Sequence, residues 1–68
     1  MEEALAKYPI IQYFTFDHLP ENLRDVSRPF GRLAIQMANN LPQCAETSAG
    51  LRKLLEAKDC AVRAYLSK

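Results

Sequence analysis

Residues 19–42, LPENLRDVSRPFGRLAIQMANNLP, decide the fold of this chain. Their apolar side chains recur in steps of three and four, the spacing of one face of an α-helix. These positions are Leu23, Val26, Phe30, Leu33, Met37 and Leu41. Pro20 suits the first turn of a helix, and Asn40 suits its end. The segment therefore predicts a first long amphipathic helix.

Pro29 lies inside this pattern. Proline has no backbone N–H, and its ring crowds the carbonyl four residues earlier. We expect either a kink or a short first piece followed by a longer piece that starts near Ser27. Both versions keep the apolar face.

A second periodic stretch covers residues 46–66, after a loop around residues 42–45. Its apolar face consists of Leu51, Leu54, Leu55, Ala61, Val62 and Tyr65. So short a connection makes the two helices antiparallel neighbours, because it leaves no room for a crossover. The predicted fold is all-α, an antiparallel two-helix hairpin. Because pairing two helices leaves their apolar flanks partly bare, we expect copies to assemble into a symmetric oligomer.

Residues 1–18 form the N-terminal arm in this interpretation, and residues 19–68 form the hairpin of a single domain. Residues 1–7 favour one or two helical turns before Pro9. Residues 8–16, YPIIQYFTF, are dense in β-branched and aromatic side chains. A lone strand has nothing to pair with in so short a chain, so we expect an extended aromatic arm that docks on the rest of the molecule.

The composition excludes several classes of protein. The chain has 68 residues with nine basic and eight acidic side chains, so its net charge is +1 and any nucleotide affinity must come from a local patch. That balance disfavours a general DNA-coating protein. Cys44 and Cys60 are not in a CxxC spacing, so no metal site is expected. No signal peptide and no membrane-spanning apolar run is visible, which predicts a cytoplasmic protein.

No recognisable spacing of catalytic groups is present, so we expect no enzyme activity and no cofactor. His18 is a potential base, but a lone histidine at a helix start is more often a cap or a surface residue. Cys44 and Cys60 suit redox thiols or, more commonly, small buried hydrophobic side chains.

Three arginines, Arg24, Arg28 and Arg32, follow one another at four-residue steps along the first long helix. One interpretation is a solvated face whose charges are softened by Glu21 and Asp25, three residues before Arg24 and Arg28. The other is a ridge that binds phosphate through planar guanidinium groups.

Aromatic side chains precede this ridge, and four of the six in the chain lie in the arm: Tyr8, Tyr13, Phe14 and Phe16. Aromatic rings stack on nucleobases, so arm and ridge together predict a nucleotide pocket. For Phe14 and Phe16, packing in a core is an equal alternative.

Four segments resemble a small phage family: FDHLP at residues 16–20, VSRPFGRLA at 26–34, NNLP at 39–42 and LRKLLEAKDCAVRA at 51–64. The chain is similar there to the helical-hairpin domain of anti-CBASS cyclic-nucleotide sponges, which also occurs in anti-Thoeris sponges. The resemblance implies a homohexamer that sequesters cyclic di- and trinucleotide signals without cleaving them, in the host bacterial cytoplasm during phage infection.

The resemblance also implies roles for single residues. An aromatic residue of the arm would stack on a base and a basic residue of the first long helix would meet a phosphate. Phe16 and Arg28 match these positions best, with Arg24 or Arg32 as alternatives to Arg28. Family members carry tyrosine where Phe16 stands. Arg63, near the end of the second helix, would serve a separate site for cyclic trinucleotides.

The predicted ligand-binding set is therefore Tyr13, Phe14, Phe16, Arg24, Arg28, Arg32 and Arg63. The predicted partners are the cyclic nucleotide and further copies of the chain, with no DNA and no membrane. The rival hypothesis is a structural or protein-binding oligomerisation hairpin. Sequence-specific DNA binding is disfavoured, because the chain has no helix-turn-helix glycine turn and no strong positive charge.

Overall fold

The computed structural model describes residues 2–67. It contains helix α1 (Glu2–Lys7), a 3-10 helix (Pro9–Phe14), helix α2 (Glu21–Asn40) and helix α3 (Ala45–Leu66). The predicted all-α class is confirmed, and so is the packing of two long helices against each other. The start of α2 lies beside the end of α3, where Leu23 and Val62 line one groove, so the two helices run antiparallel.

The helical turns predicted before Pro9 are confirmed by α1 for residues 2–7. The extended conformation predicted for residues 8–16 is wrong for residues 9–14, which form the 3-10 helix. Pro9 ends α1 but begins a 3-10 helix, where its missing N–H costs nothing. A 3-10 helix has three residues per turn, so Tyr8, Ile11 and Phe14 share one face. All three side chains are buried in the core with Ala4. Burial of this face selects the helix over the extended conformation.

The buried face of α2 differs from the predicted apolar face. It consists of small residues: Ser27, Gly31, Ala34 and Ala38. The predicted stripe lies roughly a quarter turn to one side at about 100° per residue. Its Leu33 and Leu41 are 45% and 46% exposed. At Gly31 the approach is so close that a Cβ would lie 2.9 Å from the Phe14 carbonyl oxygen, which leaves no room for a larger side chain.

Helix α2 continues through Pro29, so the alternative in which the helix splits is wrong. Helix α3 begins one residue before its predicted start. The hydroxyl of Thr47 donates to the carbonyl of Pro42 at 2.7 Å, which closes the loop between the long helices. Leu51 is fully buried and forms the α3 part of the core. Within residues 2–67, no helix has both the length and the apolar character needed to cross a membrane.

Candidate functional site

Phe16 and Arg28 lie together on the surface beside α2. The guanidinium carbon of Arg28 is 5.7 Å from the centroid of the Phe16 ring, within the range of a cation–π interaction. Both side chains are half-buried. The two residues to which the family resemblance implied ligand-binding roles are therefore neighbours, although twelve positions separate them in the chain.

Helix α2 and helix α3 fix the backbone that carries Phe16. A Cβ atom built on Gly31 of α2 would lie 2.9 Å from the carbonyl oxygen of Phe14 and 3.0 Å from Cε1 of Phe16. On the α3 side, Nζ of Lys58 donates to the carbonyl of Tyr13 at 2.6 Å. Residues 13–16 are therefore held against both long helices.

Arg28 also forms an ion pair with Asp25, with Nη1 and Oδ1 2.9 Å apart. This contact is the one that the solvated-face interpretation predicted for Asp25, so it agrees with that interpretation of the arginines. The side chains are 35% and 61% exposed, and ion pairs this exposed contribute at most about 1 kcal/mol. The pair can therefore open at small cost.

Arg24 and Arg32 flank Arg28 along the same side of α2. Eight residues of helix separate them by about 12 Å. Arg24 is half-buried, and among residues 2–67 its buried Nε–H has no hydrogen-bond acceptor. Arg32 is exposed and borders a shallow groove of about 350 Å³ with Ile35 and Asn39. Together with Phe16, these three arginines form what we call the arginine flank.

The other two predicted aromatic residues lie elsewhere. Phe14 is only 1% exposed and belongs to the core, the second of the two alternatives left open for it. Its ring is not accessible to a ligand. Tyr13 is 59% exposed, so its ring is accessible, and its carbonyl is the acceptor for Lys58.

Arg63 lies in a different place from the arginine flank. It borders a groove of about 210 Å³ between α2 and α3, whose apolar wall contains Leu19, Leu23 and Val62. Its Nη2 is 3.5 Å from the sulfur of Cys60. The predicted set therefore divides into an arginine flank on α2 and a separate groove that contains Arg63.

Gly31 and Lys58 contact the segment that carries Phe16, and sequence reasoning missed both contacts. Gly31 carried a signal, because a glycine inside a helix is unfavourable without a compensating close approach. Lys58 carried none, because its acceptor lies 45 residues away along the chain.

The thiols are exposed, so the interpretation of Cys44 and Cys60 as small buried side chains is wrong. Cys44 precedes α3, and a hydrogen bond with the Thr47 side chain is the main cause that lowers the pKa of its thiol. The two heteroatoms are 3.5 Å apart. Among residues 2–67, no three His, Cys, Asp or Glu side chains are grouped so that they would hold a metal ion.

Comparison with known proteins gave no match among protein-family models, curated proteins or solved structures.

Proposed function

We propose that this protein binds cyclic oligonucleotide second messengers at the arginine flank and sequesters them intact. Cyclic dinucleotides are the first ligand class, and cyclic trinucleotides at the Arg63 groove are the second. In this proposal the protein acts in the bacterial cytoplasm during phage infection, where it keeps defence effectors inactive. Binding and release are its whole chemistry, so it is not an enzyme.

The observation that carries the proposal is the Phe16–Arg28 pair. The guanidinium of Arg28 lies over the Phe16 ring. The pair matches the two chemical parts of a nucleotide once Arg28 swings from the ring to a phosphate, because the ring face is then free for the base. Stacking of one base contributes about 1–3 kcal/mol. A planar guanidinium holds two phosphate oxygens at once, so Arg28 adds orientation as well as attraction.

The neighbouring arginines favour a ligand with more than one phosphate. Arg24 is half-buried and lies about one turn before Arg28 on α2. Arg32 lies two turns further along α2. A cyclic dinucleotide carries two phosphates on one ring, and neighbouring arginines of the flank can hold both. A single mononucleotide would leave part of the flank unused.

Self-association is the second part of the proposal. Leu33 and Leu41 are large apolar side chains, almost half exposed, on the side of α2 away from the arginines. Leu66 near the end of α3 is 62% exposed. Covering these side chains with further copies, as a homohexamer, removes apolar surface from water. The same observation favours the rival hypothesis, a structural or protein-binding oligomerisation hairpin.

Isothermal titration with a panel of cyclic di- and trinucleotides tests the proposal. We expect sub-micromolar binding of at least one member, with the ligand recovered intact by chromatography. Arg28→Ala and Phe16→Ala should each weaken binding by about tenfold or more, since about 1.4 kcal/mol is tenfold in affinity. Arg52→Ala, at an exposed position of α3, is the control for loss of one positive charge.

The rival hypothesis gives the opposite pattern. A pure oligomerisation hairpin would show no heat with any cyclic nucleotide, while Leu33→Asp would still dissociate the assembly in sedimentation. Binding that survives both Arg28→Ala and Phe16→Ala would place the ligand elsewhere and refute the proposed site.

A further inference from the structure

Residues 13–16 are the last two residues of the 3-10 helix and the two that follow it, and they carry the Phe16 ring. The buried Phe14 side chain anchors this segment in the core, but Thr15 and Phe16 lie outside regular structure, where backbone is normally more mobile. Two further contacts from different helices hold the segment. One comes from Gly31 on α2, and the other comes from Lys58 on α3.

The Gly31 contact is an approach that no other residue type permits. A Cβ at this position would lie 2.9 Å from the Phe14 carbonyl oxygen and 3.0 and 3.1 Å from two carbons of the Phe16 ring. Backbone oxygen cannot rotate away, so a methyl group here must displace the segment itself. Glycine destabilises the middle of a helix relative to alanine, and the close approach explains its presence.

The Lys58 contact acts from the other helix. Nζ of Lys58 is 2.6 Å from the Tyr13 carbonyl oxygen, and the side chain is only 13% exposed. That carbonyl belongs to the last turn of the 3-10 helix, where backbone oxygens lack partners within the helix. A charged donor makes a stronger bond than a neutral one. The bond therefore fixes the end of the 3-10 helix relative to α3.

We propose that Gly31 and Lys58 are positioning residues that hold Phe16 under Arg28 and so preorganise the nucleotide site. This inference rests on the proposed function, because it assigns the order of residues 13–16 to ligand binding. Neither residue needs to touch the ligand. Without them the Phe16 ring would have to be ordered during binding, which weakens affinity.

Two glycines give a matched pair of variants. Gly31→Ala and Gly50→Ala make the same change inside a long helix, but a Cβ on Gly50 meets only the flexible end of Met37, at 3.1 Å. We expect Gly31→Ala to weaken binding of the tightest panel ligand by about tenfold. Gly50→Ala should retain the wild-type affinity.

The lysines give a second pair, which decides the question if Gly31→Ala does not fold. Lys58→Met keeps the unbranched stem and removes the donor, and Lys53→Met removes an exposed lysine from the same helix. We expect Lys58→Met to reduce the affinity less than Gly31→Ala does. Lys53→Met should leave the affinity unchanged.

A ligand-free measurement separates this inference from the proposed function. In wild-type protein, the current of the Phe16 ring should shift the Arg28 side-chain protons upfield in NMR spectra, and Phe16→Leu sets the unshifted reference. The shift should shrink towards that reference in Gly31→Ala and Lys58→Met and persist in Gly50→Ala and Lys53→Met. If both positioning variants fold and keep the full shift, the inference is overturned. If the shift pattern holds but no panel ligand binds wild type, positioning stands and the proposed function fails.

Discussion

The two flanks of α2 lie on opposite sides of the same buried stripe and differ in what they contact. On one flank, Phe30 and Met37 pack against the core, and Met37 reaches Gly50 of α3. On the other, Arg28 covers Phe16 and pairs with Asp25 near solvent. Substitutions in the core should therefore change the stability of the fold, whereas substitutions on the arginine flank should change binding.

Phe14 and Phe16 give the largest expected contrast. Phe14 is buried, and Phe→Ala changes in cores cost about 3–5 kcal/mol, which approaches the whole stability of a domain this small. We expect Phe14→Ala to be largely unfolded even without urea, when urea denaturation is monitored by circular dichroism. Phe16→Ala, measured at the same protein concentration, should stay folded. Equal losses in the two variants would erase the distinction between core and flank.

Overpacking the small-residue stripe should have the next largest effect. Ala38 is completely buried, and inserting a larger side chain into a packed core costs about 1–3 kcal/mol. Ala38→Leu should lower the urea midpoint accordingly, while Ala57→Leu makes the same change at an exposed position of α3. An unchanged midpoint for Ala38→Leu would show that α2 is not closely packed there.

Asp25 competes with the proposed ligand for Arg28, so removing its negative charge should strengthen ligand binding. Asp25 holds Arg28 in an exposed ion pair worth about 0.2–1 kcal/mol. Asp25→Asn should therefore raise cyclic dinucleotide affinity by up to about fivefold, with little change in stability. Glu56→Gln removes one negative charge from an exposed position of α3 and serves as the control in titration calorimetry. Weaker binding by Asp25→Asn would mean that Asp25 itself contacts the ligand.

The smallest effect concerns Cys44, which lies in the loop between the long helices. Its hydrogen bond with Thr47 lowers the thiol pKa, so the folded chain binds fewer protons there than the unfolded chain as this thiol titrates. The Cys44 thiol therefore adds to the free energy of unfolding as pH rises from its folded pKa towards its unfolded pKa. At lower pH it adds nothing. Alkylation of Cys44 should reach half its maximal rate at lower pH in wild type than in Thr47→Val, as mass spectrometry can measure. Identical pH profiles would show that the Thr47 hydroxyl, which also donates to the Pro42 carbonyl, does not lower the pKa of the Cys44 thiol.

The sequence predicted both long helices well because their three- and four-residue periodicity is regular and their ends carry clear signals. It failed for the buried face of α2, because Ser27, Gly31, Ala34 and Ala38 are less apolar than the leucines beside them. Burial there follows from the close approach of other segments, which periodicity does not encode.

The N-terminal segment shows the same limit. Tyr8, Ile11 and Phe14 recur every three residues, the period of a 3-10 helix, yet this run is too short to be distinguished from an extended segment by composition. In the site, the sequence could indicate Phe16 and Arg28 through resemblance and charge spacing. It could not indicate Lys58, because that contact exists only after α3 has folded back.

The most direct test of the central claim is an NMR titration of wild-type protein, labelled on phenylalanine and arginine, with the tightest cyclic dinucleotide from calorimetry. The account predicts saturable shifts of the Phe16 ring and the Arg28 side-chain N–H signals, with the buried Phe14 ring almost unchanged. Saturable binding that leaves Phe16 and Arg28 unshifted would contradict it.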